Sequence, residues 1–76
     1  MAGLKIHAAR RILARNVRRI RMARNMTQED LAASARMQQS QISAIEAGKS
    51  NLGIDSIQRL ARALGARVGE LLDESR

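Results

Sequence analysis

Not one Phe, Tyr or Trp occurs among the 76 residues of this chain, so its core contains no aromatic ring. Hydrophobic residues still make up 45% of the sequence, which leaves Leu, Ile, Val, Met and Ala to fill the interior. Such a core suits packed helices, and a chain of this length supports a single core of modest size. Pro is absent and the five Gly are scattered, so nothing indicates a linker or a repeat array. We expect one continuous, all-α domain.

The residue types that most enzymes and metal sites require are scarce. Cys is absent and His7 is the single His, which excludes a disulfide framework, a thiolate nucleophile and a His cluster for a metal. Glu29 and Asp30 are paired carboxylates, but their place at a predicted helix start explains them as a cap and as partners of the helix dipole. We therefore expect no enzyme activity, no cofactor, no metal and no small-molecule substrate.

Positive charge is concentrated in the N-terminal third of the chain. Fourteen Lys and Arg oppose seven Asp and Glu, a net charge of +7. Residues 1–26 hold eight of the basic residues and no acid, so the rest of the chain balances at 6 − 7 = −1. This asymmetry favours a polyanionic partner such as a nucleic acid. Candidates for attracting a DNA duplex to the basic surface are Arg10, Arg11 and Arg15.

An acid-free, Arg-rich N-terminus is also typical of an organelle transit peptide or of a membrane-surface helix. Both alternatives are disfavoured because Leu13, Val17 and Ile20 form a helical stripe that continues directly into the next motif. No apolar run is long enough to span a bilayer, and no signal-peptide pattern is present. We expect a soluble, cytoplasmic protein associated with the nucleoid and without a membrane partner.

Apolar periodicity and capping residues predict five helices. Helix two should begin after Thr27, whose side chain can accept from the backbone N–H of Asp30 in a capping box. Asn25, Gly48 and Gly65 are expected to end the preceding helices in the left-handed conformation. The other helices are expected at about His7 to Arg24, Gln39 to Ala47, Ile54 to Leu64 and Val68 to Asp73.

Each predicted helix carries an apolar stripe that should face the core. In chain order the stripes are Leu13, Val17 and Ile20; Leu31, Ala32 and Ala35; Ile42 and Ile45; Ile54, Ile57, Leu60, Ala61 and Leu64; Val68, Leu71 and Leu72. The methionines Met22, Met26 and Met37 are interpreted as core or boundary filling rather than as a ligand-binding stripe.

Several short motifs together resemble one family. They are Thr27-Gln28-Glu29-Asp30-Leu31-Ala32, Ile42-Ser43, Ile45-Glu46, Gly48-Lys49, Leu60-Ala61 and Ala63-Leu64-Gly65. From Leu13 to Leu72 the chain resembles the Cro and phage-repressor class of helix-turn-helix regulators, the XRE family. The resemblance implies a compact, five-helix lambda-repressor-like fold whose helices two and three read DNA. It divides the chain into a basic extension over residues 1–12 that continues into helix one, a DNA-binding domain over 13–72 and a tail over 73–76.

The resemblance also assigns roles to individual residues. Base readout in the major groove falls to Gln39, Ser40, Gln41, Ser43 and Ala44; contacts to phosphate fall to Arg21, Thr27, Gln28, Gln38, Lys49, Ser50 and Asn51. A Gln amide at the start of the recognition helix can pair with N7 and N6 of adenine, which favours Gln39 for specificity. Arg21 and Glu46 match positions that form an ion pair near the DNA backbone. Without the resemblance, residues 38–41 would be interpreted as a solvated helix start.

The chain departs from the family pattern in the turn between helices two and three. Arg36 stands where Gly usually takes the left-handed conformation, so either the backbone is strained here or the turn differs. Gln38 replaces a Ser or Thr cap, and Leu52 and Gly53 replace a Pro-Ser pair. Because of the departure at Arg36, an adaptor protein that has lost DNA readout stays an alternative hypothesis.

The expected function is that of a sequence-specific, double-stranded DNA-binding transcriptional regulator, a repressor or autoregulator. A homodimer could place two recognition helices about 34 Å apart on a near-palindromic operator. The exposed end of helix four and helix five are the expected interface. A regulator of this class can control a restriction-modification, toxin-antitoxin or prophage operon, and the sequence does not choose among them. An RNA-binding or nucleic-acid-coating protein is the competing hypothesis, although the chain lacks aromatic side chains for base stacking.

Overall fold

The computed structural model describes residues 6–75, and their side chains from Ala8 onward. The described residues form five helices and no strand. The helices are α1 (Ile6–Ala23), α2 (Gln28–Ala35), α3 (Gln39–Glu46), α4 (Ile54–Leu64) and α5 (Val68–Leu71). The predicted all-α class is confirmed, and each helix begins or ends within two residues of its predicted bounds. Residues 1–5 and the side chain of His7 lie outside the described part, and the three-part division of the chain stays a prediction.

Local chemistry explains where the helices start and stop. Asn25 takes φ 58° and ends α1, and Gly48 and Gly65, at φ 74° and 65°, end α3 and α4 as predicted. The capping box at α2 is also confirmed. The hydroxyl of Thr27 accepts from the backbone N–H of Asp30 at 2.9 Å, and the Asp30 carboxylate accepts from the Thr27 N–H at 2.9 Å. These ends set the short connections that fold the helices against one another.

The core lies where all five helices meet. Its buried members are Leu13, Val17, Ile20, Leu31, Ala32, Ala35, Ile42, Ile45, Leu60, Ala61, Leu64 and Leu71. Every one of them was predicted to face inward, and Met26, Met37, Ile57 and Val68 pack against the edge of the cluster as partly buried residues. The apolar stripes therefore identify the core correctly because helical periodicity and burial coincide over most of the chain.

Three apolar side chains predicted to be buried or at the core boundary are exposed instead. Ile54 is 75% exposed, Met22 55% and Leu72 45%. Ile54 is the first residue of α4, so the stripe extends one turn beyond the edge of the core. Met22 lies about 140° around α1 from Val17, on the solvent side, and Leu72 follows the last helical residue of α5.

Asn16 is the one buried polar residue in the described chain, and its role was not predicted. It is fully buried between α1 and α5. Its amide nitrogen Nδ2 donates to the carbonyl oxygens of Leu71 and Asp73, each at 2.9 Å, and its Oδ1 has no partner among the described residues. Asn16 lies three residues after Leu13 and four before Ile20, on the apolar stripe of α1. A polar residue at such a position was the sequence signal that could have predicted a buried amide. The amide joins α1 to the end of α5.

Two further observations bear on the excluded classes of protein. No helix within residues 6–75 has both the length and the apolar character needed to cross a membrane. In the same residues, no group of His, Asp and Glu side chains is arranged to hold a metal ion.

Candidate nucleic-acid interface

The turn between α2 and α3 keeps the left-handed geometry despite its unusual residue. Arg36 adopts φ 58° and ψ 49°, the left-handed conformation that Gly adopts without steric strain. The next residue, Met37, donates its N–H to the carbonyl of Ala32 at 2.9 Å, which closes the end of α2. Of the two possibilities left open by the sequence, the turn is unchanged and Arg36 carries a strain of about 1 kcal/mol. The structure therefore presents α3 as a helix-turn-helix requires.

The outer face of α3 is polar and uncharged. Its inner face is fixed by the buried Ile42 and Ile45. The predicted base-reading residues lie away from the core: Gln39, Ser40, Gln41 and Ser43 are exposed, and Ala44 is half-buried. Because residues three and four apart share a helical face, this set forms a continuous surface along α3. A surface of amides and hydroxyls can both donate to and accept from base edges.

The first turn of α3 distinguishes among its glutamines. Gln38 is extended at φ −86°, and its backbone N–H donates to Oε1 of Gln41 at 2.8 Å. This bond is the N3 half of a capping box, and it occupies the amide oxygen of Gln41. No hydrogen bond from the side chains of Gln39 or Ser40 to another described residue is found. Gln39 is thus the glutamine best placed for a two-point contact with a base.

A polar cluster joins α1, the start of α2 and the end of α3. Arg21 donates from Nε to Oε2 of Glu46 at 2.6 Å and from Nη2 to Oε1 at 3.0 Å, a two-point pairing. Its Nη1 donates to the carbonyl of Met26 at 2.7 Å. Gln28 adds a bond from Nε2 to Oε1 of Glu46 at 3.2 Å. The predicted Arg21–Glu46 pair is confirmed, and we call Arg21, Gln28 and Glu46 the Arg21–Glu46 cluster.

The Arg21–Glu46 cluster is shielded from solvent, which makes it a fixed part of the fold. The side chains of Arg21 and Glu46 are only 12% and 4% exposed. Hydrogen bonding to Glu46 raises the pKa of Arg21, burial lowers it by less, and the charge of Glu46 raises it further. The guanidinium therefore stays charged. Arg21 and Gln28 both donate to Glu46. Their predicted contacts to phosphate would have to use the side-chain N–H groups that these bonds leave free, and they stay predictions.

Thr27 opens the other side of the predicted phosphate surface. Its backbone N–H, and secondly its side chain, lower the pKa of Asp30 below the usual range for a carboxyl. The N–H and the hydroxyl of Thr27 are thus both engaged with Asp30, and the contact of Thr27 to phosphate stays a prediction. The positive end of the α2 dipole lies at this point and favours an anion nearby.

The loop after α3 carries the remaining predicted phosphate residues. Lys49 and Asn51 are exposed and Ser50 is half-buried. The Cγ atom of Arg11 lies 3.7 Å from where a Cβ on Gly48 would stand, so α1 brings a further cation beside this loop. The sequence indicated that Arg11 could attract a duplex, but only the packing of α1 against the end of α3 shows that its side chain lies next to Gly48, just before this loop.

The helix-turn-helix family matches residues 17–71 of the chain, which include the whole of α2, α3 and α4. The chain belongs to this family. Members are DNA-binding transcription regulators and not enzymes, so the chain is a DNA-binding regulator. The resemblance to the Cro and phage-repressor class is confirmed.

Three similar proteins place the chain within the family. The control protein C.BamHI of Bacillus amyloliquefaciens is 38% identical over 65 residues, which cover 84% of this chain and 80% of that protein. The hypothetical transcription factor NHTF from Neisseria superposes with a TM-score of 0.83 at 31% identity over 96% of this chain and 85% of its own. The restriction-modification controller protein C.Esp1396I, solved as a tetramer with its natural 35 base-pair operator, gives a TM-score of 0.72 at 26% identity over 92% and 100% of the two chains.

Proposed function

We propose that the protein binds a near-palindromic DNA operator as a homodimer, with α3 in the major groove, and represses transcription by occupying a promoter. The observation that carries this proposal is the exposed, uncharged face of α3, held at a fixed angle to α1 and α2 by the Arg21–Glu46 cluster. Rigid support of this kind allows a few side chains to discriminate between base pairs.

The proposed contacts fall into two groups. Base edges are read by Gln39, Ser40, Gln41, Ser43 and Ala44, with Gln39 as the main determinant. Phosphates are bound by Arg21, Thr27, Gln28, Gln38, Lys49, Ser50 and Asn51. The exposed Lys49 supplies affinity without sequence preference, because a cation on the backbone acts by releasing counterions from the duplex.

An exposed apolar surface supports the homodimer. Leu72, just after α5, is exposed and lines a cleft of about 270 Å³ together with the apolar side chains of Leu52 and Ile57, and Ile54 at the start of α4 is exposed as well. Single exposed apolar residues are common, but several beside one cleft are typical of an interface. We propose that a second copy covers this surface, which includes the exposed first residue of α4 and the end of α5, in keeping with the expected interface. C.Esp1396I, which binds its operator as a tetramer, provides a precedent for such assembly.

The named relatives guide the choice among regulated systems. C.BamHI is a control protein and C.Esp1396I is a restriction-modification controller protein. We therefore favour a controller that regulates its own operon in a restriction-modification system over a prophage or toxin-antitoxin regulator. Such a protein would act on the nucleoid in the cytoplasm.

The test of DNA readout is selection of bound sites from a random duplex library at moderate salt. The wild type should enrich a near-palindromic motif. Gln39→Ala should lose about 1 to 3 kcal/mol of preference at the base pairs it contacts, whereas Lys49→Ala should weaken binding to all sequences about equally and flatten its dependence on salt. Salt-sensitive binding with no enriched motif would instead support the nucleic-acid-coating hypothesis.

The homodimer is tested by Ile54→Glu in sedimentation-equilibrium measurements. A buried, unpaired carboxylate at a two-fold interface occurs twice per dimer, so the dimer should dissociate at concentrations where the wild type stays associated. Met22→Glu is the matched control, because Met22 is also exposed but lies on α1, away from the proposed surface. Equal association states for wild type and Ile54→Glu would contradict this interface.

A further inference from the structure

A basic cleft lies between the C-terminal end of α2 and α4, outside every contact proposed so far. Its volume is about 330 Å³, at the lower end of the range for small-ligand sites. The residues that line it are Ser34, Ala35, Arg36, Arg59, Arg62 and Ala63. Three cations therefore border one small cleft, with two Ala methyl groups and one hydroxyl between them.

The three cleft arginines have no anionic partner within the part of the chain that the structure describes. No carboxylate there lies within ion-pair distance of Arg36, Arg59 or Arg62, and none of their side chains donates a hydrogen bond to another described residue. Other arginines differ in this respect. Arg15 and Arg24 donate to backbone carbonyls, at 3.1 and 3.2 Å, although both are exposed. The cleft is thus a concentration of positive charge that the fold leaves uncompensated.

The backbone of Arg36 provides a second, independent observation. It holds the left-handed conformation at φ 58°, where Gly would be free of strain. Strained residues cluster at sites where the side chain has a function, and here the strained side chain lines the basic cleft. A Gly at this position would form the same turn without strain but would remove one of the three charges.

We propose that this cleft binds a phosphate group. The planar guanidinium matches phosphate with paired N–H donors, and the hydroxyl of Ser34 adds another donor. Three cations suit a free phosphate carrying close to two negative charges, or two successive phosphodiesters of a DNA backbone carrying one each, whereas a single carboxylate would leave two of them uncompensated. The cleft has no Phe, Tyr or Trp on which a base could stack, and its paired guanidinium donors match the oxygens of a phosphate, so we expect it to recognise the phosphate rather than a nucleobase.

The phosphate can come from the DNA backbone or from a free phosphorylated molecule. Arg36 precedes Gln39 by three residues, so the cleft lies beside the proposed reading surface and could bind duplex DNA that flanks the half-site. Only this DNA source rests on the proposed function.

The free source is tested by adding inorganic phosphate and then pyrophosphate to the ¹⁵N-labelled protein at low salt. Amide shifts at Ser34 to Arg36 and at Arg59 to Ala63 should saturate. The double variant Arg59→Gln/Arg62→Gln should lose them, whereas Arg18→Gln/Arg19→Gln, a matched pair of exposed arginines on α1, should keep them. Linear shifts spread over all basic surfaces would show that no free phosphate binds specifically.

The DNA source is tested with two operator duplexes, one limited to the half-sites and one with several added flanking base pairs. If the cleft binds the backbone, Arg59→Gln/Arg62→Gln should weaken binding only to the longer duplex and reduce the slope of log K against log salt by about 1 for each phosphate lost. Base preference on the short duplex, which tests the proposed function, should not change. Equal affinities of variant and wild type for both duplexes, together with no saturable phosphate binding, would overturn the proposal.

Arg36→Gly separates this role from a structural one. It should raise the melting temperature by at most a few degrees, because the relief of left-handed strain is partly offset by the greater freedom of Gly in the unfolded chain, and should at the same time weaken phosphate or long-duplex binding several-fold. A variant that is more stable yet binds as well as the wild type would exclude Arg36 from the site.

Discussion

Replacing the buried Asn16 by Asp tests the most unusual feature of the core with almost no change of shape. The Asn16 amide donates two bonds, to the carbonyls of Leu71 and Asp73, and its side chain is fully buried. A carboxylate has no hydrogen to donate, so it would face two carbonyl oxygens with a negative charge. The folded protein should respond by keeping the new carboxyl protonated, with a pKa well above the usual value.

The expected loss follows from this proton uptake. If the carboxyl stays protonated in the folded state near pH 7 and has a pKa of about 3.9 when unfolded, the cost is about 4 kcal/mol. A protonated carboxyl can donate only one of the two bonds, which adds about 1 kcal/mol. The folded pKa lies above the unfolded one, so the loss grows as pH rises. It should be about 5 kcal/mol near neutral pH but only about 1 to 2 kcal/mol near pH 4.

The measurement is urea unfolding followed by circular dichroism, near pH 4 and near pH 7. A domain of this size has a free energy of unfolding of about 4 to 11 kcal/mol, so the variant should be close to unfolding at neutral pH. Asn51→Asp makes the same chemical change at an exposed position and should alter stability little at either pH. A loss for Asn16→Asp below about 1 kcal/mol at neutral pH, or equal losses at both pH values, would refute the reasoning.

Three further outcomes are expected from the same structure. Glu46→Ala leaves Arg21 charged and largely buried, so it should lower the free energy of unfolding by about 3 kcal/mol in urea unfolding. Thr27→Ala keeps the backbone hydrogen bond to Asp30 but removes the hydroxyl, so a carboxyl NMR titration should show the pKa of Asp30 rising part of the way to its ordinary value. The pKa of Asp30 is lowered in the folded wild type. The stabilisation from this carboxylate is therefore present at neutral pH and is lost as the pH falls through the folded pKa. Gly48→Ala, at φ 74°, should reduce stability by about 1 kcal/mol in thermal unfolding, and an unchanged melting temperature would contradict the strain argument.

Local chemistry in the sequence was sufficient to predict the helices and the turns between them. Thr27 with Asp30 is a complete capping signal within four residues, and Gly48 and Gly65 mark helix ends because positive φ favours Gly. The buried face of α3 followed from the spacing of Ile42 and Ile45. These features depend on neighbours along the chain, so no knowledge of the packed structure is needed to predict them.

The family resemblance supplied what local signals could not, namely the pairing of Arg21 with Glu46 across 25 positions of sequence. Periodicity in turn failed where the core ends, because a helical stripe can continue beyond the surface that buries it. Ile54 satisfies the spacing of the α4 stripe, but none of the five described helices packs over it, and the same limit applies to Leu72. A pattern of one helix contains no information about how far its partners extend.

The sequence by itself determined the helices, their caps, most of the core and the concentration of positive charge on α1. Only the tertiary structure decided which groups meet. Asn16 meets the end of α5, Gln28 meets Glu46, and Arg36 meets two arginines of α4 around one cleft. The physical reason is range. Capping and periodicity act within about four residues along the chain, whereas these groupings join residues distant in sequence and exist only once the helices have packed.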